Sequence, residues 1–203
     1  IACICETWLS SSDDAVVADL CPDGFSFKHT PRASRRGGGV GFLYRNDLRV
    51  NIKSTSEYDS FESMSATIES ISSSLDIIII YRPPGNHASF SKFLEDFSLM
   101  LDERIYRPAP LVITGDLNIH LDDLTSPNTR RFNDLLDSHG LLQVVQSPTH
   151  NKGHILDVFI VRSFEDHVYL DIQVINGISD HSAITCNLEV NKLKRNIITK
   201  TFR

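Results

Sequence analysis

The stretch LVITGDLNIH, residues 111–120, decides how the rest of the chain is read. Leu111, Val112 and Ile113 are apolar with a β-branched bias, and Thr114 and Gly115 follow them, as in a buried strand about to leave its sheet. Asp116 and Asn118 then stand two residues apart. In extended backbone, side chains at that spacing share a face, so a carboxylate and a carboxamide enter one space. Gly115 permits a turn or a close backbone approach, and open α/β sheets bind ligands beyond the carboxyl ends of their strands. The same residues also fit an Asx-type turn, in which Asp116 and Asn118 bond only to local backbone. The rest of the chain bears on the choice.

Outward from this stretch, apolar runs ending in polar groups recur. Residues 1–5, IACIC, end at Glu6, which fits either a ligand or a surface acid at a loop start. Residues 75–81, LDIIIIY, read as a strand covered on both faces; it ends at Tyr81 and Arg82, where Pro83 and Pro84 stop its continuation. Residues 154–161, HILDVFIV, form a strand with Asp157 inside it. A buried acid of this kind needs a cation or a hydrogen-bonding partner. Ser179, Asp180 and His181 precede a last strand at 183–190.

The remaining segments supply the frame. Residues 10–21 read as a loop with a helical turn, and Phe25 and Phe27 alternate as in a strand. Strands follow at 40–44, 48–53 and 64–68, the last two alternating as antiparallel strands with one wet face. Residues 32–41, RASRRGGGVG, join Arg32, Arg35 and Arg36 to a glycine run. They fit a mobile basic loop gripping phosphate, or a solvated hairpin turn. Phe90, Phe93, Leu94, Phe97 and Leu101 have helical spacing within 87–105. A second helix opens at Ser126 and Pro127 and stops at His139 and Gly140, and strands follow at 141–145 and 168–175.

A length of 203 residues, 41% of them hydrophobic and 23% charged, fits one soluble globular domain with an ample core. No apolar run approaches the roughly 20 residues of a membrane span, so no membrane partner is expected. Cys3, Cys5, Cys21 and Cys186 lack paired C-x-x-C spacing and read as reduced core thiols of an intracellular protein. The sequence opens at Ile1 inside an apparent strand, without an initiator Met or signal peptide, and reads as a fragment. Net charge is -6, yet residues 191–203 hold five cations and no acid. The body therefore has 15 basic against 26 acidic residues, or -11. That argues against a broad basic face for nucleic acid, but not against a nuclease whose carboxylates collect divalent cations.

Glu6, Tyr81, Asp116, Asn118, Asp157, Asp180 and His181 thus recur at one structural position, with Arg35, Arg36 and Arg82 as candidate phosphate or DNA contacts. Hard oxygen ligands on separate strand ends suit Mg²⁺ or Mn²⁺. Here the chain resembles the endonuclease/exonuclease/phosphatase superfamily. The resemblance rests on ETW at Glu6, YRPPG at Tyr81, GDLN at Gly115, PTHNKGHILD ending at Asp157, and SDH at Ser179, in that order over residues 1–190. In detail, ETWLSSSDD, RRGGGVGFLYRND, IIYRPPG, ITGDLNIH and SPTHNKGHILD most resemble the endonuclease domain of non-LTR (LINE-type) retrotransposons.

The resemblance implies an α/β fold, a two-sheet α/β sandwich with outer helices like that of pancreatic deoxyribonuclease. Its first strand and helix, with an active-site asparagine, would lie before Ile1. It also implies a domain over 1–190 and a basic linker over 191–203 leading to a downstream reverse transcriptase. The activity implied is Mg²⁺-dependent nicking of DNA for target-primed retrotransposition, inside the cell and in the nucleus. Carried over by position, Glu6 holds the Mg²⁺ (or Mn²⁺), and Asp180 is a second metal or water contact. Asp116 positions or deprotonates the attacking water, and Asn118 orients it. His181 hydrogen-bonds the scissile phosphate, Asp157 fixes and polarises that imidazole, and Tyr81 touches phosphate.

Rival readings have less support. A calcineurin-like metallophosphoesterase shares GD and GNH motifs, but here their order is reversed and no D-x-H start is found. A serine hydrolase lacks its G-x-S-x-G elbow. An inactive retroelement remnant and an inositol-phosphate phosphatase of the same fold are separated from the nuclease by assay.

Overall fold

The parallel pair that organises the molecule is β6 (Ser74–Tyr81) with β7 (Leu111–Asp116), two buried strands laid side by side. Parallel neighbours need a crossover, and α2 (Phe90–Asp102) lies in it. Around this pair, β4 (Arg49–Lys53), β5 (Glu62–Glu69), β8 (Leu141–Gln143) and β9 (Asp157–Arg162) complete a six-stranded sheet. Its order is β4-β5-β6-β7-β9-β8, and every other pairing is antiparallel. A three-stranded antiparallel sheet, β1 (Ala2–Cys5), β3 (Val40–Arg45) and β2 (Phe25–Thr30), has β1 against β6 and β7, and β3 against β5 and β6. A further pair, β10 (Tyr169–Ile175) and β11 (Ala183–Leu188), packs Ile172, Val174, Ile184 and Cys186 on the same core. The computed structural model describes residues 1–32, 36–53, 58–70, 73–84, 89–104, 106–107, 109–164, 169–177 and 179–188.

The result is the α/β sandwich with helices that the sequence implies, with its second sheet divided into three- and two-stranded pieces among the described residues. Helix α2 begins where Ser89 accepts the Lys92 N–H at 3.1 Å. Helix α3 (Pro127–Ser138) has proline in its first turn and stops before Gly140, at φ +63°. Phe93 of α2 stacks on Phe97 and on Phe132 of α3, Phe97 meets Phe132 at a tilt, and both α2 rings meet Phe61 edge-on, so these aromatics are core. Residues 14–20, expected as one turn in a loop, form α1 (Asp14–Leu20). No helix among the described residues is long and apolar enough to cross a membrane. All four cysteines are free thiols, and burial pushes Cys3 up to about 12.

Three expectations are corrected. Strand β5 lacks a wet face over its first half: Ser63, Met64, Ser65 and Ala66 are all buried, because the strand lies inside the sheet, and Arg104 Nη2 donates to Ser65 Oγ at 3.3 Å. The run 75–81 is not purely apolar inside: Asp76 is 5% exposed and accepts from Thr67 Oγ1 at 2.6 Å and Arg107 Nη1 at 3.2 Å. Finally, β9 starts at Asp157 rather than at 154. The backbone carbonyls before it are taken from outside the sheet, His154 by Thr149 N and His150 N, Ile155 by Leu121 N, and Leu156 by Leu117 N.

Candidate active site

Strand register assembles the site. Glu62, Tyr81, Asp116 and Asp157 are direct partners across β5, β6, β7 and β9. Residues directly opposite one another in a sheet project on the same face, so one row carries three carboxylates and a phenol. Tyr81 and Asp116 end parallel strands, and Asp157 begins an antiparallel one, which puts all three at one end of the sheet.

Above the row, β1 delivers Glu6, whose carboxylate accepts the buried Tyr81 hydroxyl. Burial, followed by the hydrogen bond to Glu6 and then its charge, pushes the Tyr81 phenol well above its usual range. Glu6 and Trp8 have left-handed backbone at φ +54° and +56°, uncommon for residues with a Cβ and a mark of a constrained site. Two hydrogen bonds hold that bend: Thr7 N–H to Gly39 O at 3.2 Å and Trp8 N–H to Gly38 O at 2.9 Å. The glycine run is therefore the end of the β2–β3 hairpin clasped to the Glu6 turn. Arg32, at its start, pairs with Glu62, and its guanidinium lies 5.6 Å from the centre of the Tyr81 ring. Arg36 is described, and Arg35 lies outside the described residues.

Asp116 is 7% exposed. Its Oδ1 accepts the Asn118 N–H at 2.8 Å, and its Oδ2 the Asn118 Nδ2–H at 2.9 Å. The Asx turn and the shared site are thus both present: the turn aims a carboxylate that also faces Asp157. Burial first, then the Asp157 charge, raises Asp116 to about 7. Asn118, at φ +49°, also donates to Arg82 O at 2.9 Å. Arg82 directs Nη1 to the carbonyls of Leu117 and Asn118, at 3.2 and 3.4 Å, and lies over the rings of Phe90 and Phe93. Its guanidinium braces the loop that holds Asn118.

His181 Nδ1 is 2.9 Å from Asp157 Oδ2, and that hydrogen bond is the main reason its pKa rises to about 9. The loop carrying it is docked to the 147–153 segment by a bridge between His150 and His181, by Ser182 N–H to Thr149 O at 2.7 Å, and by Asn151 N–H to Asp180 O at 2.8 Å. Asp180 itself is exposed, its carboxylate 3.8 Å from His150 Nε2. Three supporting residues escaped the sequence reading: Glu62, His150 and Thr149. Thr149 is fully buried, and its Oγ1 accepts the N–H groups of Leu156 and Asp157 at 3.0 and 3.1 Å, fixing the start of β9. Thr149 and His150 lie inside the motif PTHNKGHILD, which was their signal; Glu62, which pairs with Arg32 thirty residues upstream, had none.

One potential ligand atom from each of Asp116, Asp157 and His181 lies within 4.8 Å of the others, and Glu6 stands one phenol away. Burial and the Asp157 charge raise Asp116, and the neighbouring His181 offsets them only in part. A divalent cation fits such a donor set.

The fold occurs in solved structures. The endonuclease domain of TRAS1, a telomere-specific non-LTR retrotransposon, superposes with a TM-score of 0.65 at 16% identity, over 82% of this chain and 79% of that one. The AP endonuclease LMAP from Leishmania major gives 0.66 at 17% identity, over 89% and 75%. The human Nocturnin catalytic domain with bound sulfate anion gives 0.59 at 14% identity, over 93% and 80%. No curated protein matches the chain. Residues 1–181 match the Endonuclease/Exonuclease/phosphatase family, a hydrolase fold of nucleases and phosphodiesterases whose enzymes are generally divalent-metal dependent. With its in-register carboxylates, its Glu6 turn and its Asp157–His181 pair, this chain belongs to that family.

Proposed function

We propose that the chain is a divalent-metal-dependent phosphodiesterase that nicks DNA in the nucleus for target-primed retrotransposition of a non-LTR element. In this reading residues 1–190 form the endonuclease unit, and 191–203 are a basic linker to a downstream reverse transcriptase. The observation that carries the chemistry is the hydrogen bond between His181 and Asp157, set in the row that holds Asp116. The retroelement setting draws support from the similar TRAS1 domain and from the five segments quoted above.

With Nδ1 on Asp157, His181 has Nε2 left for the scissile phosphate, and a pKa of about 9 keeps the ring cationic at neutral pH. A fixed cationic donor stabilises the charge that develops on phosphate oxygens during attack. Asp116, raised to about 7 by burial and the Asp157 charge before any cation binds, is assigned to position the attacking water or accept its proton. Asn118 fixes the direction of that carboxylate through two hydrogen bonds, and Tyr81 fixes Glu6. Glu6 and Asp116 are the carboxylates assigned to Mg²⁺ or Mn²⁺, with Asp180 as an outlying water contact. A bound cation would offset phosphate charge and lower the pKa of a water.

The test is conversion of supercoiled plasmid to open circle, with Mg²⁺ and with EDTA. His181→Ala should lower the Mg²⁺-dependent rate by about 10²–10³, the loss typical of one well-placed donor. Nicking by this variant at the parental rate would overturn the assignment. Hydrolysis of soluble inositol phosphates in place of plasmid would indicate a phosphatase of the same fold, and no hydrolysis of either an inactive remnant.

A further inference from the structure

Beyond Asn118 the chain places two more potential metal ligands, His120 and Asp122, on the loop leaving β7, and His154 stands on the loop entering β9. None of them has a part in the phosphodiesterase reading. One ligand atom from each lies within 4.8 Å of the other two. The His120 and His154 ring centres are 4.0 Å apart, and Asp122 Oδ2 is 3.1 Å from His154 Nδ1. The framework is fixed from behind. Asp122 Oδ1 accepts the Ile155 N–H at 2.9 Å, and Leu121 N–H donates to Ile155 O at 3.0 Å. The His120 carbonyl accepts Thr129 Oγ1–H of α3 and Asp123 N–H, both at 3.0 Å.

The Asp122–His154 hydrogen bond accounts for two of the three residues. It gives no reason for a second imidazole to stand against the first. Two imidazoles and one carboxylate, the carboxylate itself oriented by a backbone N–H, form a three-ligand set suited to Zn²⁺ with a fourth position left for water. Imidazole nitrogen favours a first-row transition metal over Mg²⁺, so this cluster and the carboxylate row differ in the cation they select.

We propose that His120, Asp122 and His154 form a second cation site, for Zn²⁺ or a similar transition metal, separate from the carboxylate row. The bound ion would clasp the loop that carries Asn118 to the loop that leads into Asp157. Its role is positional: it holds two catalytic segments in register without touching the phosphate.

The test uses the whole chain, stripped with chelator and then held in millimolar Mg²⁺ so that hard-cation sites are filled. Zn²⁺ binding is followed by calorimetry, and Co²⁺ serves as a visible-absorbing substitute that reports four-coordinate nitrogen and oxygen ligation. The expected result is one equivalent of Zn²⁺ and a rise in the thermal midpoint. His120→Ala and His154→Gln should each weaken binding by more than about 10-fold, the loss that removal of even an outer partner of a metal ligand produces. Asp116→Asn, His150→Ala and His181→Ala should bind as the parent does. His120 is exposed, so its variant keeps the test valid if His154→Gln fails to fold. Absence of Zn²⁺ binding by the parent would overturn the proposal. So would binding that survives His120→Ala and is lost in Asp116→Asn, His150→Ala or His181→Ala. Because the readout is metal binding, failure here is distinct from failure of the nicking assay.

Discussion

His181 holds its proton to about 9 because Asp157 Oδ2 accepts from its Nδ1, so the pair is worth more to the folded chain when the ring is charged. The ordinary value is 6.5, and the folded value lies above it. The stabilisation is therefore complete below pH 6.5 and is lost as pH rises through 9. Asp157→Asn should narrow the stability difference between pH 6 and pH 10, measured as urea midpoints, and should return the imidazole titration seen by NMR toward 6.5. An unchanged titration would mean that the hydrogen bond is not what holds the proton. Gly115 gives a second prediction at this scale. At φ +136° it has the backbone freedom only glycine offers, and a Cβ there would overlap the Ile80 carbonyl oxygen. Gly115→Ala should cost more than the ~1–3 kcal/mol of backbone strain alone, read from the same urea midpoints. The sequence pointed to both residues, since an acid inside an apolar strand requires a partner and a glycine at a strand end signals close approach. What it could not give was Asp76, buried in the run LDIIIIY and matched to Thr67 and Arg107 by contacts that only the fold creates.

Elements with a clear period were legible. The helical spacing of Phe90, Phe93, Phe97 and Leu101 and the proline and glycine bracketing α3 translate directly into helices, because those patterns are local. The start of β9 was not, because it is set by Thr149, eight residues away, rather than by the strand's own apolar pattern. Thr149→Val keeps the shape but removes the acceptor for the Leu156 and Asp157 N–H groups. Each buried N–H left unmet costs about 1–3 kcal/mol. The variant should lose stability on that scale, and nicking should fall further than stability predicts as Asp157 moves relative to His181. Thr149→Ser, which keeps the oxygen, should restore much of both. Equal behaviour of the two variants in urea and on plasmid would remove Thr149 from any part in aligning β9.

At the scale of the whole molecule, the active row depends on strand order. Glu62, Tyr81, Asp116 and Asp157 are spread over 96 positions of sequence and become neighbours only through the order β5-β6-β7-β9. Short motifs named most of its members, but the adjacency, and with it the place of Glu62, belongs to the sheet. Charge distribution is the other whole-molecule property. The body carries -11 against the five cations of residues 191–203. If this chain holds duplex DNA, attraction to the phosphates comes in large part from those five: Lys192, Lys194, Arg195, Lys200 and Arg203. Binding to phosphate releases counterions, and each phosphate neutralised adds about 0.9 to the steepness of log affinity against log salt. Changing all five to glutamine in a His181→Ala background, where cutting is slow enough for binding to be read first, should weaken duplex binding at low salt. It should also flatten the slope by up to about 4 or 5. Anisotropy titrations across a salt series at fixed Mg²⁺ give both quantities. An unchanged slope would mean that DNA is gripped by the body instead, through local arginines such as Arg36 set against its overall negative field.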